Sequence, residues 1–259
     1  MMKKIRHSSS VVVATLLIGG MFILTGMEVY GQEQQPPQQP ASPSTSFSTD
    51  QTTEGWLSSF DLENCDFAST GENSYFILKP GYQVTLEGEE DDEEFQLVMT
   101  VLGETKVVNG IETRVVEEKE TEGGNLVEIS RNYFALCKPT NNAIYFGEDV
   151  DIYEDSEIVS HEGAWLAGAN GSKAGMIMPG KVEVGLKYYQ EIAPGVAEDR
   201  AEIIGVNDTL DTPAGNFQNV LKTEETNPLE PGVKEFKFYA PGIGLIQEEA
   251  LVLVNYTKP

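Results

Sequence analysis

Apolar and polar residues alternate with a period of two over much of the chain after residue 75. Tyr82, Val84 and Leu86 alternate with polar residues, and the same alternation runs from Phe95 to Val101. This period places alternate side chains on opposite faces, which is typical of a β-strand with one buried face. No long stretch combines a helical period with capping residues. The pattern therefore predicts an all-β protein with little helix.

Turn signals separate these runs at short intervals. Asn109-Gly110 lies between apolar residues and is the strongest hairpin signal in the chain. Further turns are predicted at Gly123-Gly124, Asn141-Asn142 and Asp155-Ser156, whereas the Gly-, Ala- and Met-rich residues 163–181 are predicted to form a long connection. The spacing favours a single large antiparallel meander of about ten to twelve strands. A sheet of that size curls to protect its edges, so we expect a strongly curved sheet or an open barrel.

The first 31 residues have the pattern of an export signal. Lys3, Lys4 and Arg6 precede the uncharged apolar residues 11–27, and small residues follow up to Gly31. We expect cleavage after Gly31, with retention as an N-terminal anchor as the alternative, since about 17 apolar residues are at the short limit of a membrane span. Either way the positive N-terminus predicts that the rest of the chain is secreted or displayed at the cell surface.

Two regions are predicted after the export segment. Residues 32–54 are rich in Gln, Pro, Ser and Thr and cannot bury enough apolar surface to fold, so they are predicted to be a disordered spacer. Residues 55–259 are predicted to form a single β domain. Within it, Cys65 and Cys137 predict a disulfide in an exported chain, with two buried free thiols as the alternative.

The charge balance limits the classes of partner. The chain has 42 Asp and Glu against 17 Lys and Arg, with a formal net charge of −25. This argues against nucleic acid and anionic lipid surfaces, which need a basic face. Membrane contact is expected only through the N-terminal segment, if that segment is uncleaved. The acidity is compatible with cation binding, with a cationic partner, or with solubility alone.

One acidic segment is a candidate metal site. His161 is the single histidine after the export segment, and with Glu148, Asp149, Asp151 and Glu162 it could hold calcium or another divalent cation. The alternative is a solvated strand edge. A second calcium candidate is the acidic run at residues 87–94, for which the alternative is an exposed hairpin tip.

Catalytic motifs are lacking in the sequence. It has no G-x-S-x-G elbow, phosphate-binding loop or dinucleotide fingerprint. Ser160 and His161 are neighbours, so on a strand they point to opposite faces. The sequence therefore does not predict an enzyme or a catalytic residue, although a metal-assisted hydrolase using His161 and nearby carboxylates remains an alternative.

Two sequence segments near the C-terminus carry a family resemblance. They are TPAGNF at residues 212–217 and FYAPGIGLI at residues 238–246. They resemble a "TPAG-F … YAPGIGL" signature of an uncharacterised family of secreted bacterial and archaeal β-rich proteins, and residues 131–134, 146–153 and 160–165 are similar to one branch of it. Some members are thought to be similar to open β-barrels of the lipoprotein-carrier type. The resemblance implies an exported β-rich fold and no known chemistry.

Three hypotheses for function follow. The first is an exported non-catalytic protein that binds a small apolar ligand or an unknown protein partner, the second a calcium-dependent structural or adhesive module, and the third the hydrolase. No resident cofactor is expected, apart from the calcium or other divalent cation of the metal candidates. Asn170, Asn207 and Asn255 begin acceptor sequons and are candidate glycosylation sites in an exported chain.

Overall fold

The structure, a computed structural model, describes residues 52–53, 55–90 and 92–258. The predicted export segment 1–31 and nearly all of the predicted spacer 32–54 lie outside these residues. The described part is all-β, as predicted, with one short 3-10 helix at Leu62–Asn64. Across that part of the chain no helix has the length and apolar character to cross a membrane.

The strands alternate between long hairpin arms and short pairing segments. In chain order they are β1 (Thr52–Thr53), β2 (Trp56–Leu57), β3 (Phe67–Ala68), β4 (Gly71–Glu72), β5 (Ile77–Leu78), β6 (Gln83–Glu90), β7 (Glu93–Val108), β8 (Ile111–Glu122), β9 (Asn125–Cys137), β10 (Asn142–Glu154), β11 (Glu157–Ser160), β12 (Trp165–Leu166), β13 (Lys173–Met178), β14 (Lys187–Tyr189), β15 (Glu191–Ile192), β16 (Arg200–Thr212), β17 (Gly215–Thr226), β18 (Glu235–Ala240), β19 (Gly244–Glu248) and β20 (Leu251–Thr257).

Two antiparallel meanders make up most of the fold. The first meander runs from β6 to β10 and the second from β16 to β20, and pairing of β20 with β6 joins them. All strands except the β4–β5 pair belong to one large sheet. The consecutive strands β14 and β15 lie at opposite ends of the sheet's ladder of paired strands, because β14 pairs with β16 and β15 pairs with β13. The sheet therefore curves back on itself, although its ladder is not closed.

The predicted strand count and the prediction of purely antiparallel pairing are wrong. The described residues contain 20 strands rather than about ten to twelve, and β2 pairs with β14 in parallel, Leu57 opposite Tyr188. Seven of the strands have only two residues, and such short segments leave no alternation to detect. The parallel pair depends on where a distant segment docks, which local pattern does not encode.

The predicted long connection at residues 163–181 is also wrong, because it contains β12 and β13. Strand β13 pairs with β10 and buries Ala174, Met176 and Met178. Gly175 permits this packing, since a Cβ there would lie 2.1 Å from the carbonyl oxygen of Gln190. Small residues weakened the apolar alternation that would have revealed the strand.

The turn predictions and the disulfide are confirmed. Asn109 and Gly110 link β7 to β8 with φ values of 48° and 82°, as a tight hairpin requires. Cys65 and Cys137 form a disulfide with a Cα–Cα distance of 5.0 Å across 72 residues of sequence. The bridge fixes the segment before β3 to the end of β9, and closing such a loop stabilises the fold by about 4 kcal/mol.

The hydrophobic core lies inside the curved sheet and includes side chains from both meanders. Leu86 and Leu97 come from the first meander, and Leu221 and Leu253 from the second. The separate β4–β5 hairpin bridges the two meanders across this interior. Its Asn73 side chain donates a hydrogen bond to the Asn141 carbonyl, between β9 and β10, at 3.1 Å, and the Tyr75 hydroxyl donates to the Asn219 carbonyl of β17 at 3.0 Å. The hairpin therefore covers part of the concave side of the sheet.

Candidate functional site

The pleat of β10 separates the residues that were predicted to bind a metal together. Glu148 is fully buried on the inner face, whereas Asp149 is on the outer face. The Asp149 carboxylate accepts hydrogen bonds from Lys106 at 2.8 Å and from the Tyr133 hydroxyl at 2.5 Å. Burial raises the pKa of Asp149, but these two hydrogen bonds outweigh it and bring the pKa below its usual value. Asp149 is thus a charged group that already has its partners.

Asp151 and His161 are the two predicted ligands that the structure brings together. His161 Nδ1 lies 3.0 Å from Asp151 Oδ1 and 2.7 Å from the Val150 carbonyl oxygen, and Arg131 donates to the other Asp151 oxygen at 2.9 Å. Glu162 is exposed. In the part of the chain that the structure describes, no group of three or more His, Cys, Asp or Glu side chains is placed to hold a metal ion.

The other sequence candidates lie on the surface. The acidic run 87–94 lies at the end of the β6–β7 hairpin, as the alternative prediction of a hairpin tip has it. Asp91 is outside the described residues. Asn170, Asn207 and Asn255 are all exposed, so their side chains are accessible for glycosylation. Glycosylation itself stays a prediction.

Sequence reasoning missed a group of carboxyl groups on the inner face of the sheet. We call it the interior acidic cluster. Its members come from both meanders and from the segment 191–199, and each is buried or half-buried: Glu118, Glu120, Glu128, Glu148, Glu191, Asp199, Glu225, Glu235 and Glu248.

A signal for this cluster was present in the alternation. Glu118 and Glu120 lie two and four residues after the buried Val116 on β8, and Glu248 lies two residues after the buried Ile246 on β19. Residues with that spacing share a face of a strand. The alternation thus assigned these carboxyl groups to the inner face, but a charged residue is read by default as solvent-exposed.

Lys237 on β18 places a positive charge within the cluster. Its Nζ lies 2.7 Å from Glu248 Oε1 and 3.3 Å from Glu225 Oε2, and all three side chains are almost completely buried. Burial lowers the pKa of Lys237, but the charges of Glu225 and Glu248 outweigh it and raise the pKa well above its usual value. Lys237 therefore stays an ammonium ion and neutralises part of the cluster.

Other carboxyl groups of the cluster lack such a partner. Burial, followed by the charge of Glu248, raises the pKa of Glu118 to about 8. Burial raises the pKa of Glu128 to about 7, and burial and the charge of Glu128 raise that of Glu148 well above its usual value. Glu118 Oε1 and both oxygens of Glu148 are buried without a hydrogen-bond partner among the described residues. These groups hold protons in the neutral pH range.

Glu191 and Asp199 form a pair of adjacent carboxyl groups. The Asp199 backbone N–H donates to Glu191 Oε1 at 2.8 Å, which fixes one oxygen of Glu191. Glu191 Oε2 and Asp199 Oδ2 are buried with no donor among the described residues. Burial, followed by the charge of Asp199, raises the pKa of Glu191 well above its usual value, and burial raises that of Asp199. A proton shared between the two carboxyl groups satisfies this arrangement.

An apolar cavity and a polar cleft adjoin the cluster. The cavity has a volume of about 80 Å³ and lies among side chains of the β4–β5 hairpin, the two meanders and β13, including Phe76, Val84, Leu97, Met99 and Met178. Glu118, Lys237 and Glu248 lie on its wall. The cleft has a volume of about 30 Å³ and is lined by polar residues that include Glu191, Asp199 and Glu225. Lys237 and Ile177 line both spaces, so the two meet at these residues.

Comparison of the chain with protein-family models, with curated proteins and with solved structures found no match. The resemblance to the "TPAG-F … YAPGIGL" family therefore stays a prediction. In the structure, both signature segments occupy turns: Pro213-Ala214 connects β16 to β17, and residues 241–243 connect β18 to β19. Their glycines Gly215, Gly242 and Gly244 have φ values of 149°, 70° and 95°, which accounts for a glycine at each position.

Proposed function

We propose that the protein is an exported, non-catalytic binding protein that holds a small, largely apolar ligand inside its curved sheet. The apolar cavity beside Met99 carries this proposal. It is lined mainly by aliphatic and aromatic side chains, and a few polar groups converge on one part of its wall. This combination is characteristic of small-molecule binding sites in proteins.

The size of the cavity limits the ligand. A cavity needs about 10–15 Å³ to hold one water molecule, so this cavity of about 80 Å³ has room for several groups of that size. A short alkyl chain fits this volume, whereas a benzene ring needs a cavity of about 150 Å³. The polar cleft lies next to the cavity, because Lys237 and Ile177 line both spaces.

The apolar lining also favours an occupant that is not water. A water molecule in a cavity is stable only with two to four polar partners. Phe76, Val84, Leu97 and Met99 offer none through their side chains. An apolar group placed against them gains dispersion contacts that an unfilled cavity forfeits.

The test is binding of hexanol, a small alcohol with an apolar chain, followed by calorimetry, together with native mass spectrometry of the purified protein. We expect saturable binding of one hexanol. Met99→Trp, which fills the cavity, abolishes the binding, whereas Val107→Trp adds the same ring at an exposed position and leaves it unchanged. Absence of both hexanol binding and a co-purified ligand would contradict the proposal.

A further inference from the structure

We propose that the ligand carries a cationic amine, and that Glu191 and Asp199 receive this amine in the cleft while the apolar part of the ligand lies in the cavity. This inference rests on the proposed function and deepens it by naming the chemical class of the ligand. The argument depends on two buried oxygens that have no partner other than a shared proton, on the excess of carboxyl groups, and on the junction of the two spaces.

The two oxygens have the arrangement that an ammonium group satisfies. Glu191 is 1% exposed, and its Oε2 faces no donor in the described part of the protein, as is also true of Asp199 Oδ2. Both atoms are acceptors, so without a proton or a cation they repel each other. A primary ammonium has three N–H donors and can bond to both oxygens at once. The bonds would be charge-assisted, the stronger kind of hydrogen bond.

The charge around the pair favours a cation over an anion. Lys237 is already engaged by Glu225 and Glu248, at 3.3 and 2.7 Å. Among the described residues of the interior acidic cluster, Glu118, Glu148 and Glu191 each retain at least one unpartnered oxygen. An anionic head group would add a second negative charge beside the Glu191–Asp199 pair, whereas an ammonium would offset the charge of that pair.

The position of the pair fits a ligand with two different ends. Glu191 and Asp199 line the cleft, which meets the apolar cavity at Lys237 and Ile177. A head group at Glu191 therefore leaves the attached chain directed past Ile177 toward Phe76 and Met99. The polar end remains next to the cleft and the apolar end is removed from water, as the hydrophobic effect requires.

Binding should release a proton. The empty Glu191–Asp199 pair shares one proton, and an ammonium that bonds to both oxygens replaces it. The titratable groups that face the pair are Glu148, Glu225, Glu230, Glu235, Lys237 and Tyr145. Affinity for an amine should therefore rise with pH through the titration range of the pair, whereas affinity for an alcohol should not.

The experiment compares hexylamine with hexanol, which have the same chain and different head groups. We expect hexylamine to bind at least about 10-fold more tightly at pH 8, since hydrogen bonds to charged groups are the stronger class. Calorimetry in two buffers with different ionisation enthalpies should show net proton release for the amine only. At pH 5 the preference for the amine should shrink.

Glu191→Gln tests the assignment, because glutamine keeps an Oε1 that can accept the Asp199 N–H and removes the ionisable oxygen. It should abolish the preference for hexylamine and leave hexanol binding intact, and Asp199→Asn serves as a second variant if the first does not fold. Glu118→Gln is the matched control on the cavity wall and should keep the preference. Binding of hexanol without a preference for hexylamine would overturn this inference and leave the proposed function standing, whereas binding of neither would overturn both.

Discussion

Acidic side chains on the two faces of β10 and its neighbouring strands differ in their partners. On the outer face, Asp149 pairs with Lys106, and Asp151 pairs with Arg131 and contacts His161. On the inner face, Glu148 is buried with no partner for either oxygen among the described residues. These outer carboxylates are paired with basic side chains, whereas several inner carboxyl groups hold protons instead. Adjacent acidic residues in the sequence thus have different chemistry.

This difference between the faces moves the candidate functional site from the outer acidic residues to the inner ones. Among the outer candidates for a metal site, Asp149 and Asp151 have basic partners that a cation would have to displace. The inner acids lie beside a cavity and a cleft, and several have oxygens that remain available. Buried carboxyl groups with raised pKa values are more often functional than exposed ones, because burying them costs stability.

The largest expected effect is that of replacing Lys237, the ion-paired lysine on the inner face of the described sheet. Lys237→Met leaves Glu225 and Glu248 buried without their partner, and breaking a buried ion pair in this way costs about 3–5 kcal/mol. Urea unfolding at pH 7 measures the loss. Lys138→Met, which removes an exposed pair with Asp66, is the control and should cost about 0–1 kcal/mol. Equal losses in the two variants would mean that the inner pair is no more important than a surface one.

The second effect is on the pH dependence of stability. Because burial raises the pKa of Glu118 to about 8 from 4.5, the folded protein holds a proton that the unfolded chain releases above that lower value. The protonated Glu118 carboxyl group therefore adds to the free energy of unfolding at low pH, and this contribution is lost as the pH rises toward 8. For one such group, the free energy of unfolding falls by at most about 1.4 kcal/mol per pH unit.

Unfolding in urea at several values between pH 5 and pH 8 measures this slope. Glu118→Gln should make it shallower, because glutamine does not ionise. Asp149→Asn should leave it unchanged, because the pKa of Asp149 lies below its usual value and its titration falls outside this range. An unchanged slope in Glu118→Gln would show that the carboxyl group of Glu118 is ionised in the folded protein.

The smallest effect is expected on the outer face. His161 has a side chain that is 67% exposed, so His161→Ala should change the free energy of unfolding by less than about 0.5 kcal/mol. Millimolar calcium should leave the melting temperature unchanged, since Lys106 and Arg131 already hold Asp149 and Asp151. A rise in melting temperature with calcium that His161→Ala removes would instead support the calcium-dependent module.

The sequence predicted the local features of this fold well. The all-β class, the Asn109-Gly110 hairpin and the Cys65–Cys137 bridge follow from short-range pattern and cysteine pairing. It did not predict β13, in which Ala174 and Gly175 weaken the apolar alternation, or the parallel contact between Leu57 and Tyr188. Those features depend on where distant segments dock in the folded chain.

The candidate site was harder to predict for a related reason. Glu118 and Lys237 lie in phase with the apolar residues Val116 and Tyr239, so the alternation does place them inside. What the sequence does not encode locally is that Glu118, Glu191 and Lys237 converge from separate strands. The five residues of the acidic segment around His161 looked more suggestive because they are close together in the chain, but the pleat divides them.

The most direct test of the account is an NMR titration of methyl-labelled methionines with hexanol. Met99 and Met178 line the cavity, whereas Met176 is buried in the core without lining it. We predict saturable shifts of the Met99 and Met178 methyl signals with little change at Met176. No saturable shift, or equal shifts at all three methionines, would contradict the claim that the interior of the curved sheet is a ligand site.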